Sequence, residues 1–163
     1  MHGVDVIEDG LISYGYDNVK SAPVEMCVFG KSLKELDALE KVRDSCIGLG
    51  LQEIISFNLT SKRNQESNML LNGEKFVELA NPMSSNYEIM RKKVLPQALN
   101  FLAKNKGQLF PQRIFEVGAC LELNQGADIG VKQSNHICAI STHSNANFTE
   151  IKSILVTCVI LLD

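Results

Sequence analysis

Residues 78–118 decide the fold that this sequence predicts, and they read ELANPMSSNYEIMRKKVLPQALNFLAKNKGQLFPQRIFEVG. The segment begins as a strand that ends before Pro82, because proline lacks an amide donor and restricts the residue preceding it. A helix opens around Pro96, where the missing donor costs nothing, and Gly107 ends it. A second strand begins at Arg113. This order of elements predicts an α+β core.

The segments on either side extend this core. Residues 32–47 carry apolar side chains three and four apart, which predicts a helix. Residues 52–59 alternate in polarity, which predicts a half-buried strand with Ile55 on its inner face. The helix opened by proline is expected to bury Leu99. Two further strands are expected at 113–123 and 135–144, and strands joined by one hairpin loop pair antiparallel. We therefore expect an antiparallel sheet flanked by helices.

The last predicted helix, at 147–163, is apolar on too many sides to stand alone. Such a helix is normally buried against other protein. We therefore expect that the core continues in protein beyond this chain, so that the chain is incomplete at its carboxyl end.

Composition bounds the class of protein. The chain has 163 residues, of which 45% are hydrophobic and 21% are charged, as in an ordinary water-soluble domain. The net charge of −3 excludes a molecule that binds polyanions over its whole surface, so nucleic acid would need a local patch.

No targeting or membrane segment is predicted. The amino terminus lacks a basic region followed by an apolar run, and the apolar stretch 154–162 is too short to span a bilayer. The cysteines are scattered, without paired spacing, and are Cys27, Cys46, Cys120, Cys138 and Cys158. This pattern favours reduced thiols, and hence a cytoplasmic protein without membrane association.

Three carboxylates share one face of a short helix predicted at residues 2–16. Asp5 lies three residues before Glu8 and four before Asp9, so the three are neighbours on a helix surface. They suit the positive end of the helix and solvent, which is one interpretation. The other is a magnesium site, since hard cations prefer oxygen ligands.

Residues 89–115 contain several cations and no acidic residue. The candidate contact residues in this basic segment are Arg91, Lys92, Lys93, Lys104 and Lys106. One interpretation is a solvated basic face. The other is a surface that contacts RNA or an acidic partner.

No catalytic residue is predicted. The histidines lack metal-ligand spacing, and glycine-rich phosphate loops and nucleophile motifs are absent from the sequence. Ser141 and His143 are close in sequence, but such a pair alone does not define a nucleophile and its base.

Four ordered sets of residues resemble the beta subunit of phenylalanine–tRNA ligase, of the archaeal and eukaryotic kind. The first is HGVDVIEDGLISYGYDN at 2–18 and the second is IGLGLQEIISFNLT at 47–60. The third combines NPMS, MR, LP and NK within 81–106. The fourth is IFEVG at 114–118 together with FTEIKS at 148–153.

The resemblance implies a domain organisation and a role. Residues 1–20 would end a small winged-helix-like domain, 21–31 would be a linker, and 32–163 would form a class II synthetase-like core without catalytic residues. In the family the alpha subunit handles phenylalanine, ATP and the acceptor end of tRNA(Phe), within an (αβ)2 heterotetramer. Asp5, Glu8 and Asp9 match three of four acidic positions that the family assigns to magnesium.

Three functions are compared on this basis. The first is a structural module that packs on the alpha subunit of the ligase. The alternative is a stand-alone module that binds tRNA or other RNA through residues 91–106. The third is an independent amino-acid-activating enzyme, which the lack of catalytic motifs argues against. The sequence departs from the family where Lys92 and Lys93 follow Arg91 in place of threonine and serine.

Overall fold

The computed structural model describes residues 2–24, 28–70, 73–160 and 162, and the chain divides into two compact units, Met1–Ser32 and Leu33–Asp163. The first unit contains helix α1, Gly3–Tyr14, followed by a 3-10 turn at Tyr16–Asn18. Helix α1 confirms the predicted helix, and none of its side chains is buried. Cys27 lies outside the described residues.

The second unit is built on a long antiparallel hairpin. Strand β4, Gln112–Leu123, pairs with strand β5, Val131–Thr142, along its whole length, with Phe115 opposite Ala139. The polar loop between them spans seven residues, 124–130, and Gly130 within it has φ 71°. Both strands and their antiparallel pairing were predicted from the sequence.

The sheet as a whole is mixed, which corrects the expected antiparallel sheet. Strand β1, Gln52–Glu53, pairs on the other side of β4 and runs parallel to it, so the order is β1-β4-β5. A hairpin loop forces its two strands to be antiparallel, but β1 reaches β4 only after a long crossover. The crossover leaves either direction open, and the local sequence does not specify which one occurs.

Helices cover both faces of this sheet. Helix α2, Lys34–Gly48, and helix α5, Phe148–Ile160, pack on one face around Val42, Cys46 and Phe115. Helix α4, Leu95–Lys104, packs on the other face, where Ala98 meets Ile114. The alternating side chains of β4 thus serve two separate apolar clusters. This three-layer α+β arrangement contains helices on both faces, as expected.

The buried face of α4 differs from the prediction. The helix opens with Pro96 as expected, but it buries Ala98 and leaves Leu99 45% exposed. Val94, Ala98 and Leu102 lie four residues apart and form the inward row. An apolar count along the sequence does not distinguish this row from the one that contains Leu99.

The segment 52–59 is not one continuous strand. After β1 it continues irregularly to strand β2, Leu59–Thr60, which pairs antiparallel with strand β3, Ile89–Met90, in a separate small sheet. Ile54 is buried and Ile55 is 92% exposed, so the prediction that Ile55 faces inward is wrong. A short helix α3, Lys62–Gln65, follows β2 and is capped by Ser61.

Candidate functional site

The three acidic residues of α1 do not form a complete ligand set. The Asp5 carboxylate accepts a hydrogen bond from the backbone N–H of His2, at 2.5 Å from nitrogen to Oδ2. Within the described ranges, no group of three or more His, Cys, Asp or Glu side chains is placed to hold a metal ion. Carboxylate oxygens suit magnesium, but Asp5, Glu8 and Asp9 would need a further ligand. The magnesium site therefore stays a prediction.

Arg91 is not a surface contact residue, which corrects its place in the basic segment. Its side chain is 2% exposed and its Nη1 donates to Oε1 of Glu116 at 2.5 Å. Nη1 also donates to Oγ of Ser56 at 2.8 Å, and Nε donates to the carbonyl of Ala119 at 2.8 Å. Arg91 therefore ties the β3–α4 connection to strand β4 inside the protein.

Ser56 and Gly118 complete this arrangement, which we call the arginine network. The Ser56 hydroxyl lies 2.7 Å from Oε2 of Glu116 and donates to the carboxylate. A Cβ atom on Gly118 would lie 1.9 Å from Nη2 of Arg91, so only glycine leaves room for the guanidinium. The IFEVG segment thus contains both the acid that pairs with Arg91 and the glycine that admits it.

The lysines of the basic segment are divided between structural and exposed positions. Lys92 forms an ion pair with Glu74, and the backbone N–H of Lys93 donates to Oε1 of Gln65 at 2.9 Å. Lys104 and Lys106 are exposed. The segment that lacks acids in sequence therefore meets acids from elsewhere in the fold.

A second polar cluster surrounds Glu150 at the start of α5. Its carboxylate lies 2.7 Å from the Ser141 hydroxyl, 2.8 Å from Nε2 of His143 and 2.6 Å from Nη2 of Arg113. Hydrogen bonds from Ser141 and then His143, with the Arg113 charge, lower the pKa of Glu150. Because Ser141 donates to Glu150 and not to His143, the two do not form a nucleophile and its base.

Helix α5 combines a buried face with an exposed apolar one. Ile154 and Cys158 are buried, whereas Leu155 is 63% exposed and Ile160 is 65% exposed.

Burial raises the pKa of Cys46 to about 12, and its sulfur lies 3.6 Å from that of Cys158. Leu161 and Asp163, at the end of the predicted helix, lie outside the described residues. Of the helices described, none is long and apolar enough to cross a membrane.

The sequence profile described as "Phenylalanyl tRNA synthetase beta chain CLM domain" matches residues 20–162, a range that includes nearly all of the second unit. The chain belongs to this family. The resemblance seen in the sequence is thereby confirmed.

Curated relatives of the phenylalanyl tRNA synthetase beta chain family agree with this result. A phenylalanine–tRNA ligase beta subunit from Thermococcus sibiricus is 37% identical over 95% of this chain, and one from Pyrococcus furiosus is 38% identical over 95%. A beta subunit from Archaeoglobus fulgidus is 36% identical over 94% of this chain. This chain spans 28%, 28% and 27% of their respective lengths.

Solved structures support a synthetase fold for this beta-chain family member. A pyrrolysyl tRNA synthetase from Desulfitobacterium hafniense superposes with a TM-score of 0.58 at 16% identity, covering 78% of this chain and 46% of that chain. An ATP phosphoribosyltransferase regulatory subunit/histidyl-tRNA synthetase from Bacillus halodurans gives a TM-score of 0.62 at 11% identity, covering 88% and 40%. At these identities the likeness shows a class II synthetase-like fold and no more.

Two residues of this beta-chain core were not singled out from the sequence. Ser56 reads as an outward polar residue of an alternating strand, and Gln65 as part of a polar surface helix. In the structure Ser56 binds Glu116, and Gln65 is 1% exposed with its side chain bound to the Lys93 backbone. The periodicity of apolar residues does not reveal a polar side chain that is buried, so only a family alignment of these positions would have found Ser56 and Gln65.

Proposed function

We propose that this chain is the core-forming module of a phenylalanine–tRNA ligase beta subunit and that it organises a catalytic alpha subunit. The whole ligase, in this proposal, attaches phenylalanine to tRNA(Phe) with ATP in the cytoplasm, as an (αβ)2 heterotetramer. The family match over residues 20–162 is the observation that carries the proposal.

The arginine network supports a structural role for the core. The guanidinium of Arg91, a group that would suit a phosphate or a carboxylate of a substrate, is already paired with Glu116 at 2.5 Å and buried. A substrate anion would have to displace a carboxylate and a serine hydroxyl that lie inside the protein. This module therefore contributes rigidity, and the alpha subunit contributes the chemistry.

The exposed face of α5 supports a protein partner. Leu155, Val159 and Ile160 are each more than half exposed and lie on a helix whose buried side packs on the sheet. Grouped apolar side chains at a surface are typical of an interaction site. We assign this face to the alpha subunit.

Co-expression with a cognate alpha subunit tests the role. We expect a complex on gel filtration, with phenylalanine-dependent pyrophosphate exchange in the complex and none in the chain alone. Leu155→Glu together with Val159→Glu should abolish the complex while circular dichroism stays unchanged. Leu109→Glu is the matched control, because Leu109 is 92% exposed and lies outside α5. Activity of the isolated chain, or failure of any complex to form, would overturn the proposal.

We also propose that residues 1–20 close a small winged-helix-like domain, that 21–31 link it to the core, and that Asp5, Glu8 and Asp9 contribute to a magnesium site of the intact subunit. Titration with magnesium in a calorimeter tests this site. A longer beta subunit should bind the ion, and Glu8→Gln should weaken binding. Unchanged binding in that variant would remove the assignment.

The alternative, a stand-alone RNA module that uses residues 91–106, loses two of its cations in the structure. Arg91 is buried, and Lys92 is paired with Glu74. Its surviving exposed cations include Lys104 and Lys106. If the chain were a module of that kind, removing Lys104 and removing Lys106 should weaken tRNA binding to the same extent.

A further inference from the structure

A polar cleft of about 460 Å³ lies between helix α4 and the segment 56–61, on the side of α4 away from Ala98. We call it the amide cleft. Ser56 of the arginine network also lines this cleft, whereas no residue of α5 does. Its volume falls within the range of sites that hold one small ligand.

One wall of the amide cleft is a single face of α4. Gln97, Asn100, Phe101 and Lys104 follow one another at steps of three, one and three residues, so all four lie on the same side of the helix. Apart from Phe101 this face is polar, and Lys104 gives it one charge.

Hydrogen bonds fix the amides before any ligand arrives. The Nδ2 of Asn64 donates to Oγ1 of Thr60 at 3.1 Å, and Nδ2 of Asn100 donates to Oδ1 of Asn64 at 2.6 Å. Gln97 donates from Nε2 to the Phe57 carbonyl at 3.2 Å. In the part of the chain that the structure describes, Oδ1 of Asn100 receives no hydrogen bond, so an oriented acceptor remains at the exposed end of this chain of amides. Amides held in this way lose little entropy on binding.

Two aromatic rings stand at the mouth of the amide cleft. Phe57 and Tyr87 pack edge to face with ring centroids 5.6 Å apart, and they are 64% and 50% exposed. Edge-to-face packing leaves at least one ring face free to stack on a flat ligand.

The charge of the amide cleft is positive. Lys104 lies in its wall, and no aspartate or glutamate lines it. Across the described ranges of the chain, Lys104 takes part in no ion pair. A ligand suited to one free cation, a stacking ring and fixed amides has an anionic group, a flat ring and a polar ring edge.

We propose that the amide cleft binds one unpaired nucleotide of a single-stranded RNA. The base stacks on Phe57, the more exposed of the two rings, its polar edge meets the Asn100 amide, and its phosphate pairs with Lys104. Unpaired bases are recognised by such a combination of aromatic stacking, edge hydrogen bonds and phosphate contact. An acidic peptide would use Lys104 but would leave the aromatic pair unused. This inference does not depend on the alpha subunit or on any catalysis.

Fluorescence anisotropy of a short labelled oligoadenylate tests the proposal with the full chain. Phe57→Ala should weaken binding by roughly tenfold or more, because stacking on one aromatic ring supplies much of the affinity for a base. Phe148→Ala is the matched control, since Phe148 is 75% exposed and lies outside the amide cleft. The control should bind like the unaltered chain.

The charged contact is tested in the same assay. Lys104→Ala should lower the slope of log affinity against log salt by about 0.7, the contribution of one phosphate contact on a single strand. Lys106→Ala, two residues further along and outside the amide cleft, should leave the slope unchanged. The duplex form of the strand should bind far more weakly.

Four results would overturn the proposal. They are equal effects of the two lysine variants, no effect of Phe57→Ala, binding of adenosine monophosphate as tight as that of the strand, and displacement of the strand by an acidic peptide. The first would leave only general electrostatic attraction, the second would exclude stacking on Phe57, the third would point to a free nucleotide, and the fourth to a protein ligand.

Discussion

Arg91 and Glu116 form an ion pair across 25 residues of chain, with Nη1 and Oε1 2.5 Å apart and both side chains 2% exposed. Removing two charges from water is costly, and their attraction offsets that cost only when both partners and their remaining hydrogen bonds are present. The Ser56 hydroxyl and the Ala119 carbonyl supply those bonds. The pair therefore fixes how the α4 connection meets strand β4.

Arg91→Ala should destabilise the chain by about 3–5 kcal/mol, because Glu116 would remain buried without its partner. The midpoint and slope of urea unfolding measure this. Lys62→Ala is the control, since Lys62 pairs with Glu78 at the surface, and its midpoint should stay close to that of the unaltered chain. Equal urea midpoints for the two variants would show that breaking the buried Arg91–Glu116 pair costs no more stability than breaking a surface pair.

Gly118→Ala should cost roughly 1–3 kcal/mol, because its Cβ would lie 1.9 Å from Nη2 of Arg91. Gly107→Ala is matched to it, since a Cβ at Gly107 meets no atom within 4 Å. Thermal unfolding compares the two. Combining Gly118→Ala with Arg91→Ala should cost less than the sum of the single changes, because the clash disappears with the guanidinium. Strict additivity would show that the two positions do not interact.

The stability of the chain should depend on pH through Glu150. Hydrogen bonds from Ser141 and His143, with the Arg113 charge, lower the pKa of Glu150 in the folded state. A carboxyl group with a lowered folded pKa adds stability above its unfolded pKa, about 4.3, and that stability is lost as the pH falls through the folded pKa. Glu150→Gln should therefore reduce the urea midpoint at neutral pH and converge with the unaltered chain in acid. A constant difference across pH would exclude this linkage.

The described cysteines should resist alkylation until the chain unfolds. Burial raises the pKa of Cys46 to about 12 and that of Cys138 to about 11, and it also raises the pKa of Cys120. The thiolate is the reactive form, so iodoacetamide at mildly alkaline pH should label few of these thiols in the native chain and all of them in urea. Mass spectrometry of a Cys27→Ser variant counts the labels without interference from Cys27. Rapid native labelling would contradict the buried positions.

The spacing of residues along the chain predicted the positions of helices better than it predicted which face of a helix or strand is buried. Pro96 and Gly107 bound a helix in any fold, because the missing amide and the flexible backbone act locally. Packing on the sheet decides which row of α4 side chains is buried, and it buries Ala98 and leaves Leu99 exposed. At Ile55 the alternation pointed to the wrong side, because Ser56 turns inward to bind a buried carboxylate.

The candidate sites divide in the same way. The order of the motifs was enough to place the chain in its family, since ordered matches along a sequence need no coordinates. The basic segment from Arg91 to Lys106 looked uniform in sequence because its acidic partners, Glu116 and Glu74, lie outside it. The amide cleft combines α4 with residues 56–61 and could not be predicted from either segment alone.

By itself the sequence determined helices α1, α2, α4 and α5, the hairpin of β4 and β5, and the family, because these depend on neighbours along the chain. The tertiary structure alone decided that β1 runs parallel to β4, that Arg91 is buried and Lys104 is not, and that Phe57 stands beside Tyr87. Each of these features depends on which residues that are distant in sequence come into contact in the fold. Burial and strand pairing depend on these tertiary contacts and not on the residue type alone.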